Sequence, residues 1–378
     1  MNNCYLDAEA VITFFRMTGR KHIFITGSRG SGKSHLVNNM LKHMSDSFNL
    51  LQSHRTDTPQ VVIKSNLVAD NKEFVIGVPR TSGINPASKG NNMTIIEDGF
   101  INCAIPAIDT HLDTTPERLF VIDELGYLES SCIPFQKTVE KLLDNSHVLA
   151  VIRKQSTEFL NRICNRKDVL VIDIDNTFET LSCIIMASGM SKRFGSNKLI
   201  ADFNGCSLFE NAVSISHFAG FGETLAVTRH DEVVRICEDK NIHFLRHDMP
   251  YRNEMVRLGV TRILSDNASS GNLQPQGILF LPSDQPLITR TSLQLLCLTF
   301  LYYDDKICRL SYNENAGSPC IFPEKYYDEL LNLPEKKGGG FLTKKYPAQV
   351  VLVPVRDEYE LYDIDTPDDI TRLLKFLH

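Results

Sequence analysis

Gly27-Ser28-Arg29-Gly30-Ser31-Gly32-Lys33-Ser34 has the spacing G-x-x-x-x-G-K-[ST]. In that pattern Gly27, Gly30 and Gly32 let backbone N–H groups wrap a phosphate chain, Lys33 reaches the β- and γ-phosphates, and the Ser34 hydroxyl joins a Mg²⁺ shell. Further on, Leu119-Phe120-Val121-Ile122 runs into two adjacent acids, Asp123 and Glu124. Asp123 can hold Mg²⁺ through water, while Glu124, expected one residue beyond the strand's end, can orient or deprotonate an attacking water. An acidic pair after a buried strand can also merely cap a helix, but the phosphate loop upstream favours the chemical reading. A second glycine-rich stretch, Ser188 to Lys198, packs two glycines and three cations into a short loop after the apolar run Cys183 to Ala187. Ala187, Ser188, Gly189 and Ser191 could cradle a triphosphate, and Arg193 and Lys198 could neutralise the charge on a departing pyrophosphate. The bland alternative for these residues is a solvated basic turn.

Such loops work only at the ends of strands, and the apolar runs are spaced to supply them. His22–Thr26, Val61–Lys64, Leu119–Asp123, Val148–Ile152 and Val169–Asp173 in the first half, then Cys183–Ala187, Thr224–Thr228, Ile278–Pro282 and Gln349–Val355, alternate with amphipathic stretches. That alternation predicts an α/β protein whose sheets are mostly parallel, doubly wound and covered by helices. One such sheet rarely carries two phosphate loops, so 378 residues divide into two domains, expected at 1–180 and 181–378. No linker-like composition marks the join, and Gly338-Gly339-Gly340 is an isolated loop signal.

A hydrophobic content of 42% beside 23% charged residues suits a globular protein, and the net charge of −6 argues against a general nucleic-acid binder. The start, MNNCYLDAEAVITFF, lacks the basic-then-apolar form of a signal peptide, and no apolar run is long enough for a membrane span, so a cytoplasmic location is expected. The ten cysteines include no C-x-x-C and read as buried thiols. His243 and His247 stand four apart but flank a strand-like turn, and read as structural rather than metal-binding.

The first half resembles the small P-loop nucleoside-triphosphatases whose acidic motif reads D-E-[IL]-G-x-[ML]-E, here Asp123-Glu124-Leu125-Gly126-Tyr127-Leu128-Glu129, followed by Phe135 and the strand Val148 to Lys154. The resemblance spans about residues 20 to 175 and implies hydrolysis of ATP or GTP. It is weak from Leu50 to Gly99, where Arg80 is the candidate for an arginine that stabilises the transition state.

The second half resembles the molybdenum cofactor nucleotidyltransferases, whose signature [AS]-G-x-S-x-R-[MF]-G-x-x-K-L matches Ser188 to Leu199. Three further segments agree in order and spacing: Leu281-Pro282-Ser283-Asp284-Gln285-Pro286-Leu287, Gly317 to Pro323, and Asp363 to Ile370. The resemblance implies Mg²⁺ held by Asp284 and Asp365, although by position alone Asp365 reads first as a helix N-cap. It implies transfer of a nucleoside monophosphate to molybdopterin with release of pyrophosphate. CTP is expected in preference to GTP, because the D-Q-P and D-I-D-T-P segments look closer to the cytidylyl branch. Small-molecule substrates and a molybdoenzyme that receives the cofactor are the implied partners. The sequence departs from the family at Ser318 for a histidine, at Ser283 for a glycine, and over Arg252 to Val256. The alternatives are a sugar-1-phosphate nucleotidyltransferase and a nucleotide-gated chaperone for the cofactor.

Overall fold

The apolar runs become strands and the stretches between them helices, as a computed structural model of the chain shows; it describes residues 6–44, 47–80, 93–269, 271 and 273–377. Two compact units meet between Asp175 and Asn176. In the first, β1 (His22–Gly27), β2 (Phe48–Arg55), β3 (Val61–Ser65), β4 (Phe74–Pro79), β5 (Met93–Ile95), β6 (Leu119–Leu125), β7 (His147–Arg153) and β8 (Val169–Asp173) form one sheet in the order β5-β4-β3-β2-β6-β7-β1-β8. From β2 to β8 every pairing is parallel, and β3, β4 and β5 extend that edge antiparallel. The antiparallel edge comes from the 50–99 region, where sequence reading marked only Val61–Lys64 and passed over the apolar run Phe74–Pro79 that forms β4.

The parallel strands are apolar nearly throughout because helices cover both faces. Phe24, Phe120 and Ala150 are fully buried and share one cluster with Phe135 of the helix Ile133–Asn145. The first helix, Ala8–Thr18, starts where the Asp7 carboxylate accepts the Ala10 N–H at 2.9 Å and stops at Gly19, whose φ of 64° suits glycine.

The second unit opens on β9 (Leu181–Ala187), continues through the small pair β10 (Asp202–Phe203) and β11 (Cys206–Ser207), and adds β12 (Glu223–Thr228), β13 (His243–Arg246), β14 (Gly277–Pro282), β15 (Ile307–Tyr312), β16 (Asn315–Pro323) and β17 (Val350–Pro354). Its main sheet runs β13-β12-β9-β14-β16-β15-β17, with β16 alone antiparallel to both neighbours. The helix Leu208–Ala219 carries a full capping box between Ser207 and Glu210. Gly277 is required by packing, since a Cβ there would lie 2.5 Å from the Phe300 ring.

Of the described cysteines, Cys103, Cys132, Cys183, Cys237, Cys297 and Cys308 are buried as expected, whereas Cys164, Cys206 and Cys320 are partly exposed; Cys4 lies outside the described residues. Among the described residues no helix is long and apolar enough to cross a membrane.

His22 opens β1 fully buried, its Nδ1 accepting the Val148 N–H at 3.2 Å and its Nε2 3.5 Å from an Asp168 carboxylate oxygen. Burial lowers its pKa to about 4; Lys21 and Arg166 act in the same direction and Asp168 opposes them. An unfolded histidine takes up its proton near pH 6.5, so the folded state loses stability as pH falls from 6.5 through 4 and none of this loss exists above about pH 7. The difference in urea-derived stability between the wild type and His22→Asn is therefore expected to be flat above pH 7 and to change by at most about 3 kcal/mol by pH 4.

Candidate active sites

Both candidate sites lie at the carboxyl ends of parallel strands, where the chain must leave the sheet and expose backbone groups. In the first unit, β1 ends at Gly27 and the loop bends through Gly30 (φ 80°) and Gly32 (φ 97°), conformations that a side chain would strain. Lys33 begins the helix Lys33–Met44, two residues ahead of the expected start at His35. Its ammonium is buried and donates to the carbonyls of Gly27 and Ser28, each at 2.8 Å, which folds the lysine back across the loop it serves.

Asp123 faces this loop: the Ser34 hydroxyl donates to its carboxylate at 3.3 Å and Gln52 Nε2 at 3.4 Å. Burial raises its pKa, with the Glu124 charge adding and Gln52, Ser34 and Lys33 opposing. A half-buried carboxylate pushed upward beside a serine hydroxyl is a hard-oxygen set short of positive charge, which fits Mg²⁺. Glu124 lies inside β6, not beyond its end as expected. The β6–β7 register shifts between Asp123 and Leu125, leaving Glu124 unpaired in the ladder, and its carboxylate takes the Nε–H of Arg153. The motif's last acid, Glu129, is buried and accepts the Gly126 N–H at 2.8 Å, so it fixes the turn after the strand. Arg80 is exposed, and the twelve residues after it are outside the described ones.

Sequence reasoning missed Asp175. Its carboxylate accepts the Ser28 N–H at 2.7 Å and the Ser28 hydroxyl at 3.0 Å, and Lys154 donates to it at 3.1 Å. The signal was present: the strand Val169–Asp173 ends on an acid with a second acid two residues on, and β8 lies beside the phosphate-loop strand.

In the second unit, Ala187 ends β9 and its carbonyl accepts the Thr228 hydroxyl at 2.8 Å. Ser188 is buried; its hydroxyl donates to the Val227 carbonyl at 2.9 Å and lies 2.7 Å from His247 Nε2. His247 Nδ1 accepts the Met249 N–H at 3.1 Å, so the proton sits on Nε2 and points at Ser188; burial keeps the ring's pKa below its ordinary value. His247 thus braces the loop, while His243 is an exposed residue at the start of β13. The Ser191 hydroxyl accepts the Lys198 N–H at 3.1 Å, closing the loop on itself, and His230 Nε2 lies 2.8 Å from the Gly189 carbonyl.

Lys198 Nζ is buried and sits 2.8 Å from Asp284 Oδ2, 2.5 Å from the Ile364 carbonyl and 3.4 Å from Asp365 Oδ1, while Arg193 pairs with Asp365 at 2.6 Å. The structure thus brings the two basic and two acidic candidates together, but the lysine contacts the acids and occupies the centre of their oxygen set. Asp363 borders the same group; burial raises its pKa and the Asp284 charge adds to the effect. Asp284 caps no helix, since the next one, Arg290–Tyr303, is capped by Thr289. Asp365 is not the N-cap that its position suggested, because Thr366 takes that place in a capping box with Asp369. Among the described residues no three acidic, histidine or cysteine side chains converge to hold a metal alone. Two carboxylates and a carbonyl around one cation still fit Mg²⁺ completed by nucleotide phosphates.

A cavity of about 370 Å³ opens beside Gly189 and Asp284. Met255, Val256, Phe280 and Phe322 give it an apolar lining, and Arg252 and Ser318 stand among its polar groups. Arg252, Met255, Val256 and Ser318 are positions where the sequence departs from the resembled family, and folding gathers them in one place. Ser283, another departure, donates to the Met186 carbonyl at 2.8 Å and ties β14 to β9. Arg309, which no motif marked, donates Nε and Nη2 to the Gly317 carbonyl and Nη1 to Thr343 at 3.2 Å, holding the cavity's far wall.

The first unit is thus a P-loop fold with Asp123 facing the loop and Glu124 paired with Arg153, and the second a nucleotidyltransferase-like α/β unit with a glycine-rich loop over two carboxylates. Comparison with known proteins agrees: residues 22–181 match the family model described as NTPase, and residues 183–350 match the MobA-like NTP transferase domain. The chain therefore joins an NTPase-family unit to a MobA-like NTP transferase unit. It is 26% identical over 155 residues (40% of this chain, 86% of the relative) to the "Nucleoside-triphosphatase THEP1" of Thermotoga sp. strain RQ2. It is 24% identical over 197 residues (50% of this chain, 93% of the relative) to a protein of Bacillus velezensis named "Probable molybdenum cofactor guanylyltransferase". Among solved structures, a homologue from Mycobacterium sp. strain JC1 of Mycobacterium tuberculosis Rv0371c superposes with a TM-score of 0.45 at 20% identity, covering 53% of this chain and 97% of that one.

Asp175→Ala removes both hydrogen bonds that Ser28 makes to the carboxylate. The expected results are faster amide hydrogen exchange at Ser28 and a loss of about 1–2 kcal/mol in urea-derived stability, with exchange in β9 unchanged.

Proposed function

We propose that the second unit transfers a nucleoside monophosphate from CTP or GTP to the phosphate of molybdopterin and releases pyrophosphate, and that the first unit hydrolyses ATP or GTP. The observation that supports this most is the meeting of Lys198, Asp284 and Asp365 under the Ser188–Lys198 loop, at the mouth of a cavity large enough for an acceptor. The MobA-like match supports the molybdopterin acceptor. The D-Q-P and D-I-D-T-P segments favour CTP as donor, whereas the Bacillus relative's name speaks of a guanylyltransferase.

The chemistry needs little from the protein beyond position and charge. The acceptor phosphate is already an anion, so its oxygen attacks the α-phosphorus in line without a protein nucleophile, and the bond to pyrophosphate breaks. Gly189 and its neighbours offer backbone N–H groups to the triphosphate, and Arg193 and Lys198 take up charge as pyrophosphate leaves. Asp284 and Asp365 would hold Mg²⁺, which supplies charge stabilisation at the reacting phosphate. Ser188, locked by His247, keeps the loop's first turn in place. In the first unit Lys33 and the Gly27–Gly32 loop hold the phosphates, Ser34 and Asp123 would hold Mg²⁺, and Glu124 orients the water. The reading places the protein in the cytoplasm, with a cofactor-receiving molybdoenzyme as partner.

The direct test incubates the purified chain with each NTP, Mg²⁺ and molybdopterin and identifies products by mass. A dinucleotide adduct from CTP or GTP is expected, and sugar-1-phosphate turnover without one would refute the acceptor. Two substitutions separate the sites. Lys33→Ala is expected to abolish NTP hydrolysis and leave pyrophosphate release largely intact. Asp284→Ala should lower transfer by on the order of 10²-fold or more and leave hydrolysis unchanged, measured as phosphate against pyrophosphate release. A folded Asp284→Ala protein that keeps more than about a tenth of wild-type transfer rules out its metal role.

A further inference from the structure

Arg153 ends β7 in parallel register with Gly27, the first residue of the phosphate loop. On its other side lies β6, where the register shift leaves Glu124 without a ladder partner and free to meet the Arg153 guanidinium. The arginine therefore stands between the phosphate loop and the carboxylate assigned to the attacking water. Both side chains keep contact with solvent, 37% exposed for Arg153 and 21% for Glu124, so neither is locked into the core. Among the described residues Glu124 is the sole hydrogen-bond and ion-pair partner found for this guanidinium. Gly126, the glycine of the D-E-L-G stretch, explains how the arginine fits: a Cβ there would come within 2.7 Å of Arg153 Cδ. The acidic motif thus provides both the anion that holds the arginine and the space through which its stem passes.

The geometry points to Arg153 as a sensor of the terminal phosphate that exchanges partners when a nucleoside triphosphate binds. In the empty site it neutralises Glu124 and keeps that carboxylate from ordering the attacking water. A γ-phosphate beside Gly27 carries more charge than one carboxylate and offers several acceptor oxygens, so the guanidinium moves to it and Glu124 is released to order the water. No covalent bond forms or breaks in this exchange; only an ion pair is replaced. A diphosphate ends one phosphate short and leaves the Arg153–Glu124 pair closed. This inference rests on reading the first unit as an NTP hydrolase and adds to it the residue that tells NTP from NDP.

The test compares full-length wild type, Arg153→Ala and Arg153→Lys, each checked for native circular dichroism, in binding a β,γ-imido NTP analogue and the matching NDP with Mg²⁺ by calorimetry, and in NTP turnover. For Arg153→Ala, triphosphate affinity is expected to fall on the order of tenfold or more while diphosphate affinity stays within about twofold, and turnover to fall on the order of 10²-fold. Arg153→Lys should recover part of the triphosphate preference, because it restores the charge without the planar fork. Equal losses for both nucleotides would show a structural brace, and turnover at or above wild type in Arg153→Ala would show a mere lock on Glu124; either result overturns the inference while leaving the hydrolase reading intact. Wild-type protein that binds the triphosphate analogue yet hydrolyses no NTP defeats the hydrolase reading and this inference with it.

Discussion

A lysine ammonium buried at the end of a strand must be surrounded by oxygen atoms, and each half of this chain is organised around one such requirement. Lys33 is 8% exposed and satisfies it with two carbonyls of its own loop; Lys198 is 5% exposed and satisfies it with two carboxylates and a carbonyl drawn from the segments after β14 and β17. The difference has consequences. Lys33 hydrogen-bonds only to carbonyls, with the Asp123 charge acting on it without a direct ion pair, whereas Lys198 is ion-paired with Asp284 and Asp365. On the proposed function, a nucleotide with its counter-ion would therefore rearrange the second site more than the first.

The sheets explain why those oxygens are available. Parallel strands bring β1, β6, β7 and β8 to a common end, so Gly27, Asp123, Arg153 and Asp175 gather from positions as far apart as 148 residues in the chain. In the second unit β9 and β14 are parallel neighbours, and the Ile364 N–H donates to the Asp284 carbonyl at 2.8 Å, joining the two acidic segments by their backbones. Side chains from elsewhere in each unit hydrogen-bond to the loops and brace them: Ser188 by His247, Gly126 by Glu129, Ser28 by Asp175. Pre-ordering of this kind lowers the entropic cost of binding a flexible phosphate chain.

The phosphate loops, the paired acids and the strands that carry them were legible in the amino-acid order, because each depends on local rules. A buried parallel strand must be apolar, the turn after it needs glycine, and the helix that follows presents its first N–H groups to an anion. His22–Thr26, Val169–Asp173 and Ile278–Pro282 needed adjustment by at most one residue at either end. β2, β5, β15 and β16 escaped notice because polar residues or glycine interrupt their apolar runs, and sequence alone does not separate such a strand from a loop; β4, Phe74–Pro79, was missed although its side chains are apolar throughout.

Partnership across the sheet was beyond the sequence's reach. Nothing in the order of residues says that β7 inserts between β1 and β6, yet that insertion puts Arg153 between Gly27 and Glu124. Nor does it say that Lys198 would meet Asp284 and Asp365 rather than open loop, or that Arg252, Met255, Val256 and Ser318 would line one cavity. The sequence by itself determined two α/β units, their glycine-rich loops and the types of side chain available for chemistry, since these follow from periodicity and backbone freedom within a few residues. The tertiary structure decided which charges neutralise one another, because an ion pair needs a few ångströms in space and is indifferent to separation along the chain.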